Sequence, residues 1–256
     1  MSKPVIIAVT NQKGGVGKTT TAINVAYYLA KSGKRTLLID LDPQGNATSG
    51  LGVDKSKIEK NVIDLLVGDA KLGEVTQKTK HKNLSLVPTT SHLANTEVEL
   101  ANLNNKFVRL KQGIGDNLDY DFIIIDSPPS LSLLTVNALI AAQYVILPVQ
   151  AEFYAMEGLG QLLETMKLVR KGMNPTLELL GVLVTMLDTR TSLSKQVHDE
   201  IKKHFHYKLL ETTIPRNIRL AEAPSHGLPI GAYERWSKGA RAYKAATKEL
   251  LDRVGA

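Results

Sequence analysis

The chain has no cysteine among its 256 residues, and this absence excludes several kinds of site. Disulfide bonds, thiolate zinc sites and iron–sulfur clusters all need cysteine sulfur. No apolar run is long enough to cross a bilayer, and the N-terminus lacks the charged start and apolar core of a signal peptide. We therefore expect a protein of the reducing cytoplasm with no membrane partner.

Acidic residues are fewer than basic ones, and the excess of positive charge is uneven. The formal net charge is +7, and residues 190–256 alone hold thirteen Lys and Arg against seven Asp and Glu. A basic face of this kind fits a polyanion, either nucleic acid or an acidic membrane. A solvated surface explains the same charge equally well, so charge alone leaves these alternatives open.

Length and composition are those of an ordinary globular protein. Hydrophobic residues make up 43% of the chain and charged residues 22%. A chain of 256 residues is long enough to bury a complete sheet in one large domain. We expect a single domain over residues 1–256.

A glycine-rich segment follows the first apolar run, residues 5–9, and leads into a helical pattern at residues 21–30. Strand, glycine-rich loop, Gly-Lys-Thr and helix together predict a phosphate-binding loop. Glycines let successive N–H groups turn toward an anion, Lys18 adds a charge for the β- and γ-phosphates, and the Thr19 hydroxyl can ligate Mg²⁺. A glycine-rich turn with solvated lysines is the weaker alternative. The predicted nucleotide-binding residues here are Gly14, Gly15, Val16, Gly17, Lys18, Thr19 and Thr20.

Two further apolar runs end in aspartate, at residues 35–40 and 122–126. Carboxyl ends of parallel strands face the ligand crevice, so Asp40, Asp42 and Asp126 should lie beside the phosphates. Carboxylates there would repel a triphosphate unless a cation intervenes, which predicts Mg²⁺ held by Thr19, Asp40 and Asp126. Helix caps or turn residues are the alternative for each aspartate taken alone.

The remaining pattern alternates strands with helices, which predicts an α/β fold with a doubly wound, mostly parallel sheet flanked by helices. Residues 51–82 are a polar excursion with short helical pieces. Further strands are predicted at residues 83–88, 144–150, 177–187 and 211–214. Helix signals cover residues 93–118, 156–171, 194–205 and 238–254.

The glycine-rich loop departs from the ordinary pattern, because Gln12 takes the place of its first glycine and Lys13 follows. This spelling resembles the deviant Walker A loop of the ParA/MinD family of P-loop ATPases. Four more segments resemble the chromosomal ParA (Soj) group of that family, so the resemblance covers essentially the whole chain. They are residues 40–46, 126–130, 148–152 and 214–225.

The resemblance implies a homodimer that holds ATP and Mg²⁺ between its subunits. Lys13 of each chain would reach the partner's nucleotide and act in catalysis with Lys18 and Asp42, where Asp42 orients or deprotonates the attacking water. Pro215 and Asn217 match the segment that frames adenine. Glu152 stands where a ribose contact or a contact across the dimer is expected.

The resemblance also implies a DNA-partition ATPase that binds double-stranded DNA non-specifically and is associated with the nucleoid. Arg190, Lys195 and Arg219 fall where family members contact DNA. The protein would be released from DNA when a ParB-like (Spo0J) activator stimulates ATP hydrolysis. The extra N-terminal DNA-binding domain of long plasmid-type relatives is not expected.

Three other functions fit the sequence less well. A MinD-like membrane ATPase needs bulky apolar residues in its C-terminal helix, whereas residues 239–247 are mostly alanine. An electron or metal-cluster carrier of the same superfamily needs bridging cysteines, and the chain has none. A purely structural role leaves Lys13 and Asp42 without a purpose.

Overall fold

A computed structural model describes residues 3–116, 119–152 and 157–255 of the chain. Its centre is a seven-stranded sheet in the order β3-β4-β2-β5-β1-β6-β7. Neighbouring strands are parallel, apart from the antiparallel pair β3 and β4 at one edge. The strands are β1 (Val5–Val9), β2 (Thr36–Asp40), β3 (Gln77–Lys78), β4 (Leu84–Val87), β5 (Phe122–Asp126), β6 (Tyr144–Gln150) and β7 (Glu178–Thr185).

Helices cover both faces of the sheet, as the alternating pattern predicts. On the first face lie α3 (Val62–Val67), α5 (Leu93–Leu100), α6 (Arg109–Ile114), α7 (Leu133–Ala141), α8 (Glu157–Gly172) and α9 (Ser192–Phe205). On the second face lie α1 (Lys18–Lys31), α2 (Asn46–Gly50), α11 (Ile230–Tyr233) and α12 (Lys238–Val254). Two short helices, α4 (Leu72–Val75) and α10 (Ile218–Glu222), complete the set described.

The central strands are apolar along their whole length because both of their faces are buried. In β1, Ile7 and Val9 pack into the core beneath α1 and α12, whereas Ala8 packs into the core on the opposite face. The same alternation occurs in β5, where Ile124 and Ile125 belong to different cores. Successive side chains on a strand point to opposite faces, so one short run supplies both cores.

Strand register brings the predicted acidic residues to one edge of the sheet. Asp126 at the end of β5 lies opposite Val9 on one side and opposite Asp40 on the other. The phosphate loop leaves β1 at this same edge, so the carboxyl ends of three adjacent strands meet around it. This is the crevice in which doubly wound folds bind their ligands.

Two element predictions need correction. Residues 211–214 form no strand; the N–H groups of Glu211 and Thr212 donate to the Glu249 carboxylate on α12, at 2.9 Å and 3.0 Å, instead of to a sheet ladder. The helix signal over residues 93–118 corresponds to two helices, α5 and α6, separated by turns, and residues 117 and 118 lie outside the described ranges. The predicted start at residue 156 also lies outside them, with α8 described from Glu157.

None of the described helices is long and apolar enough to cross a membrane.

Candidate active site

The segment between β1 and α1 forms an open loop at the carboxyl edge of the sheet. Gly15 and Gly17 have φ values of 76° and 86°, in the left-handed region that disfavours any side chain. Gly17 is the residue before the first turn of α1, so the loop ends at a helix N-terminus. Backbone N–H groups and the helix dipole there favour an anion.

Two hydrogen bonds fix this loop to the sheet, and a third lies within the loop. Asn11 Nδ2 donates to the Pro148 carbonyl of β6 at 2.8 Å, and the Lys13 N–H donates to Asn11 Oδ1 at 3.0 Å. On the far side, the Thr185 hydroxyl at the end of β7 donates to the Val16 carbonyl at 2.7 Å. The loop is therefore held by strands β6 and β7 as well as by the strand it follows.

Lys18 folds back over the loop and is almost completely buried. Its Nζ donates to the Lys13 carbonyl at 3.0 Å, and the residue is 6% exposed. Burial lowers the pKa of the Lys18 ammonium, while the carboxylates of Asp126 and Asp42 oppose the decrease. The predicted phosphate-binding charge thus lies near two of the three predicted acidic residues, Asp42 and Asp126.

Asp126 is fully buried, and neither of its carboxylate oxygens has a hydrogen-bond partner of normal geometry among the described residues. Burial raises the pKa of Asp126 well above the usual carboxyl range, and the Asp40 carboxylate raises it further. The nearby Thr19 hydroxyl and the Lys18 ammonium act in the opposite direction. A buried carboxylate without a partner, beside a threonine hydroxyl, is a donor set that fits Mg²⁺.

Asp40 has the opposite surroundings. Its Oδ2 accepts the backbone N–H of Thr48 at 2.7 Å and the Thr48 hydroxyl at 2.6 Å, while its Oδ1 accepts the Asp42 N–H at 3.3 Å. Burial raises the pKa of Asp40, and the bonds from Thr48 partly offset the rise. Asp40 therefore has protein partners on both oxygens, and its predicted role as a metal ligand stays a prediction.

Asp42 lies two residues further, where the chain leaves β2 for α2. Its Oδ1 accepts the Gln44 N–H at 2.9 Å, and the residue is only 6% exposed. The bond from its own N–H to Asp40 links its position to the end of the strand. Asp42 is therefore a buried carboxylate of fixed position near the Lys18 ammonium, and its role in orienting the attacking water stays a prediction.

The outer side of the loop is exposed and carries an ion pair. Lys13 Nζ lies 2.8 Å from Glu152 Oε2, and Gln150 donates to the other oxygen of Glu152. Gly14 and Gly15 are exposed, and a Cβ built on Gly14 would meet no atom within 4 Å. The surface above the loop is therefore open around these residues.

A cavity of about 510 Å³ opens beside the loop and includes the predicted adenine segment. It joins Gly17 and Thr20 to Pro215 and Asn217, so the structure brings together residues about 200 positions apart in the sequence. Asn217 also caps α10, with its Oδ1 accepting the Arg219 N–H at 3.0 Å. The other residues that line the cavity are Thr185, Met186, Ile214, Arg216, Ile218, Leu220, Ala221 and Tyr243.

Several residues of this site carried no signal in the sequence. Tyr243 on α12 is buried against α1, with its hydroxyl 3.1 Å from the Thr21 hydroxyl. Thr48 fixes Asp40, and Thr185 fixes the loop. Met186 has a φ of 50°, a left-handed conformation that is strained for a residue with a side chain. In the sequence, only the segment from residue 214 to residue 225 pointed toward this wall of the cavity.

The predicted DNA-binding residues lie near the same end of the molecule. The Arg190 side chain is 86% exposed and pairs with Asp188, whose pKa it holds well below the usual range together with Arg216. Arg219 pairs with Glu222 at 2.8 Å, and Lys195 is exposed on α9. A bridge between Leu187 and Pro215 holds the two arginine-bearing segments side by side. Arg216, exposed between them, is a further cation that the prediction left out.

A doubly wound sheet with a glycine-rich loop, a buried lysine and strand-end aspartates defines the class of P-loop ATPases. A family model described as an AAA domain matches residues 4–179. The Soj protein of Bacillus subtilis, named a sporulation initiation inhibitor, is 54% identical over 96% of this chain and 97% of its own. The chromosome-partitioning ATPase Soj of Thermus thermophilus is 52% identical over 97% of this chain and 96% of its own. The chain therefore belongs to the ParA/MinD family of ATPases, in its chromosomal ParA (Soj) group.

A solved structure shares the fold. Cobyrinic acid a,c-diamide synthase from Mycobacterium smegmatis, solved with ADP and magnesium, superposes with a TM-score of 0.85 and is 36% identical. The match covers 99% of this chain and 96% of that one. The predicted fold class is confirmed.

Proposed function

We propose that this protein is an ATP-dependent DNA-partition ATPase whose ATP-bound dimer binds DNA non-specifically. The proposal rests on one observation. At one edge of the sheet the buried Lys18 lies near Asp126, whose carboxylate accepts no hydrogen bond of normal geometry from the described residues. Exposed arginines stand beside the adjoining cavity. Relatives named as chromosome-partitioning proteins support the biological role.

ATP lies with its phosphates against the loop from Gly14 to Thr20 and its base in the cavity at Pro215 and Asn217. Lys18 exchanges its bond to the Lys13 carbonyl for bonds to the β- and γ-phosphates. Thr19 and Asp126 would hold Mg²⁺, and the ion would neutralise charge that develops on the phosphates. Asp40, which already accepts hydrogen bonds on both oxygens, would contribute to the metal site less directly than Asp126.

Hydrolysis needs a water aligned with the γ-phosphate, and Asp42 is the carboxylate placed for that work. Its position is fixed through Asp40 and Gln44, so it is presented with little freedom. Removing Asp42 should leave the phosphate-binding groups intact. The variant Asp42→Ala is therefore expected to retain ATP without hydrolysing it.

The dimer places two phosphate loops face to face. The open space above Gly14 supports this arrangement, since it leaves room for the loop of a second subunit. Lys13 is engaged by Glu152 of its own chain at the exposed rim. On dimerisation Lys13 changes partner and reaches the nucleotide of the other subunit.

DNA binding rests on Arg190, Lys195 and Arg219, with Arg216 between the two arginine segments. These residues contact phosphates and carry no sequence information. One subunit offers few such contacts, whereas a dimer presents twice as many on one rigid particle. Because the dimer forms with ATP, DNA binding depends on ATP through avidity. The protein leaves the DNA after ATP hydrolysis, which a ParB-like activator accelerates. The protein thus resides in the cytoplasm on the nucleoid.

A membrane target is less well supported. The exposed face of α12 carries Lys238, Arg241, Lys244 and Lys248, with alanine between them and no bulky apolar residue. Such a face can attract an acidic membrane surface through its charge, but it has little apolar area to insert into a bilayer.

The test is binding to duplex DNA of mixed sequence, with ATP, with ADP and without nucleotide, over a series of salt concentrations. We expect tight binding with ATP only, and affinity that falls steeply with salt because counterions are released. Asp42→Ala should show the same binding without decay over time. Arg219→Ala should weaken binding to every sequence and flatten the salt slope by roughly one counterion for each phosphate that the variant no longer neutralises.

Gly14→Val is the matched control, because it adds a side chain where the subunit itself has room. It should bind ATP normally, remain monomeric by light scattering, and bind DNA as weakly as the nucleotide-free protein. ATP-independent DNA binding, or full ATP-dependent binding by a monomeric Gly14→Val protein, would contradict the proposal.

A further inference from the structure

We propose a second anion site, for a phosphate group, at the end of α1 opposite the nucleotide site. It is a cavity of about 490 Å³ between the C-terminus of α1 and the turn that joins β3 to β4. The residues that line it include Tyr27, Lys31, Lys80, His81, Lys82 and Asn83. The 14 residues of α1 separate it from Lys18 by about 20 Å at roughly 1.5 Å per residue.

The lysines are the only charged residues, among those described, that line the cavity. Lys31 on the last turn of α1 and Lys80 and Lys82 on the turn line it, and no acidic residue does. None of the three lysines forms an ion pair with another described residue, in contrast to Lys3 and Lys60, which each pair with a carboxylate. Like charges in a concave site focus a positive potential that attracts an anion.

The turn that carries two of these lysines is fixed in place. Asn83 has a φ of 64°, and its carbonyl accepts the Thr36 N–H of β2 at 2.8 Å. The Thr79 hydroxyl donates to the Leu84 carbonyl at 2.8 Å and accepts the His81 N–H at 3.1 Å. The cationic groups are therefore presented by a turn with internal bonds and an anchor in the sheet.

His81 supplies the most specific feature. Its Nε2 is buried and has no hydrogen-bond partner among the described residues. Its ring meets the buried Tyr27 edge to face, with centroids 5.2 Å apart, so its orientation is set. When Nε2 carries a proton, it is a buried donor without an acceptor, and an oxyanion that enters beside the lysines would satisfy it only by displacing the atoms that now cover it.

The ligand chemistry follows from these donors. Lysine ammonium groups and a protonated imidazole suit a compact, multiply charged oxyanion such as a phosphate group. Burial and the charges of Lys80 and Lys31 lower the pKa of His81. A bound anion offsets those charges, so binding should raise the pKa of His81. Tyr27 and Lys82 are the other titratable groups that line the cavity.

The test follows the His81 ring by NMR while inorganic phosphate is added at constant ionic strength. Saturating ADP and Mg²⁺ keep the nucleotide site filled, and His81→Gln assigns the signal among the six histidines. We expect a saturable shift of His81 with phosphate and none with chloride. The double variant Lys80→Gln/Lys82→Gln should raise the half-saturating concentration about tenfold.

The matched control is Lys78→Gln/Lys171→Gln, which removes the same charge from exposed positions outside the cavity. It should leave the phosphate titration unchanged. Absence of a saturable shift in the wild type, or an equal half-saturation in both double variants, would overturn the proposal.

A second arm identifies where the phosphate group comes from. Short duplex DNA is added to the protein loaded with a non-hydrolysable ATP analogue. If DNA phosphates occupy the site, the duplex shifts His81, and Lys80→Gln/Lys82→Gln weakens DNA binding. If the ligand is a small phosphorylated molecule, the duplex leaves His81 unmoved while free phosphate still shifts it.

Discussion

Strands β2 and β5 end in the same way, with an apolar run and a fully buried aspartate, yet the two carboxylates have opposite surroundings. Asp40 accepts three hydrogen bonds from Thr48 and Asp42, and Asp126 accepts none of normal geometry from the described residues. They lie opposite each other in the sheet register. One carboxylate is therefore satisfied by the protein, and the other is suited to a cation.

The difference shows that a buried charge can serve two purposes at the same edge of a sheet. A carboxylate with its own donors fixes the loop that carries Asp42. A carboxylate without donors destabilises the free protein, and a bound cation offsets that cost. Such a group is expected at a functional site where binding must be strong and reversible.

The largest expected effect comes from removing the cation that faces Asp126. Lys18→Ala should reduce ATP affinity by roughly a hundredfold or more, because a buried charge that pairs with the phosphates is removed. Isothermal titration calorimetry measures it. Lys171→Ala, on the last turn of α8, is the control and should leave ATP affinity unchanged. Equal affinity of Lys18→Ala and wild type would remove the basis of the phosphate site.

The next effect separates the two aspartates by stability. Asp40→Asn should destabilise the nucleotide-free protein by about 2 kcal/mol, because it disrupts bonds from Thr48 to a charged acceptor. Asp126→Asn should be neutral or stabilising, since burial and the Asp40 carboxylate disfavour the charge on Asp126 more than Thr19 and Lys18 favour it. Denaturant unfolding in the presence of a chelator measures both.

The pH dependence of stability tests the raised pKa of Asp126. Burial raises the pKa of Asp126 in the folded state above its unfolded value, so the folded state binds more protons. The contribution of Asp126 to stability is therefore largest below about pH 4 and is lost as pH rises through the folded pKa. The stability difference between wild type and Asp126→Asn should grow in favour of the variant over that range. A constant difference would show that Asp126 does not titrate as described.

Sequence reasoning predicted the parts of the site that depend on local pattern. The loop around Lys18 and the strand-end positions of Asp40, Asp42 and Asp126 follow from short segments. The resemblance added the segment around Pro215, which lines the cavity. The roles of Lys13 and Glu152 across a dimer stay predictions, and the DNA contacts stay predictions as well.

What the sequence did not predict depends on contacts between distant segments. Thr48 distinguishes Asp40 from Asp126, but nothing in the pattern of either strand indicates which aspartate it will reach. Residues 211–214 have strand propensity, and the carboxylate of Glu249 overrides it by accepting the N–H groups of the first two. Tertiary contacts of this kind outweigh local propensity.

We expect Asp126 to be the carboxylate that binds the metal accompanying ATP. The direct measurement is ATP affinity by calorimetry with Mg²⁺ and with a chelator, for wild type, Asp126→Asn and Asp40→Asn. We predict that Mg²⁺ strengthens ATP binding to the wild type about tenfold or more, that Asp126→Asn loses this gain, and that folded Asp40→Asn retains most of it. An undiminished gain from Mg²⁺ in Asp126→Asn would show that Asp126 does not hold the metal.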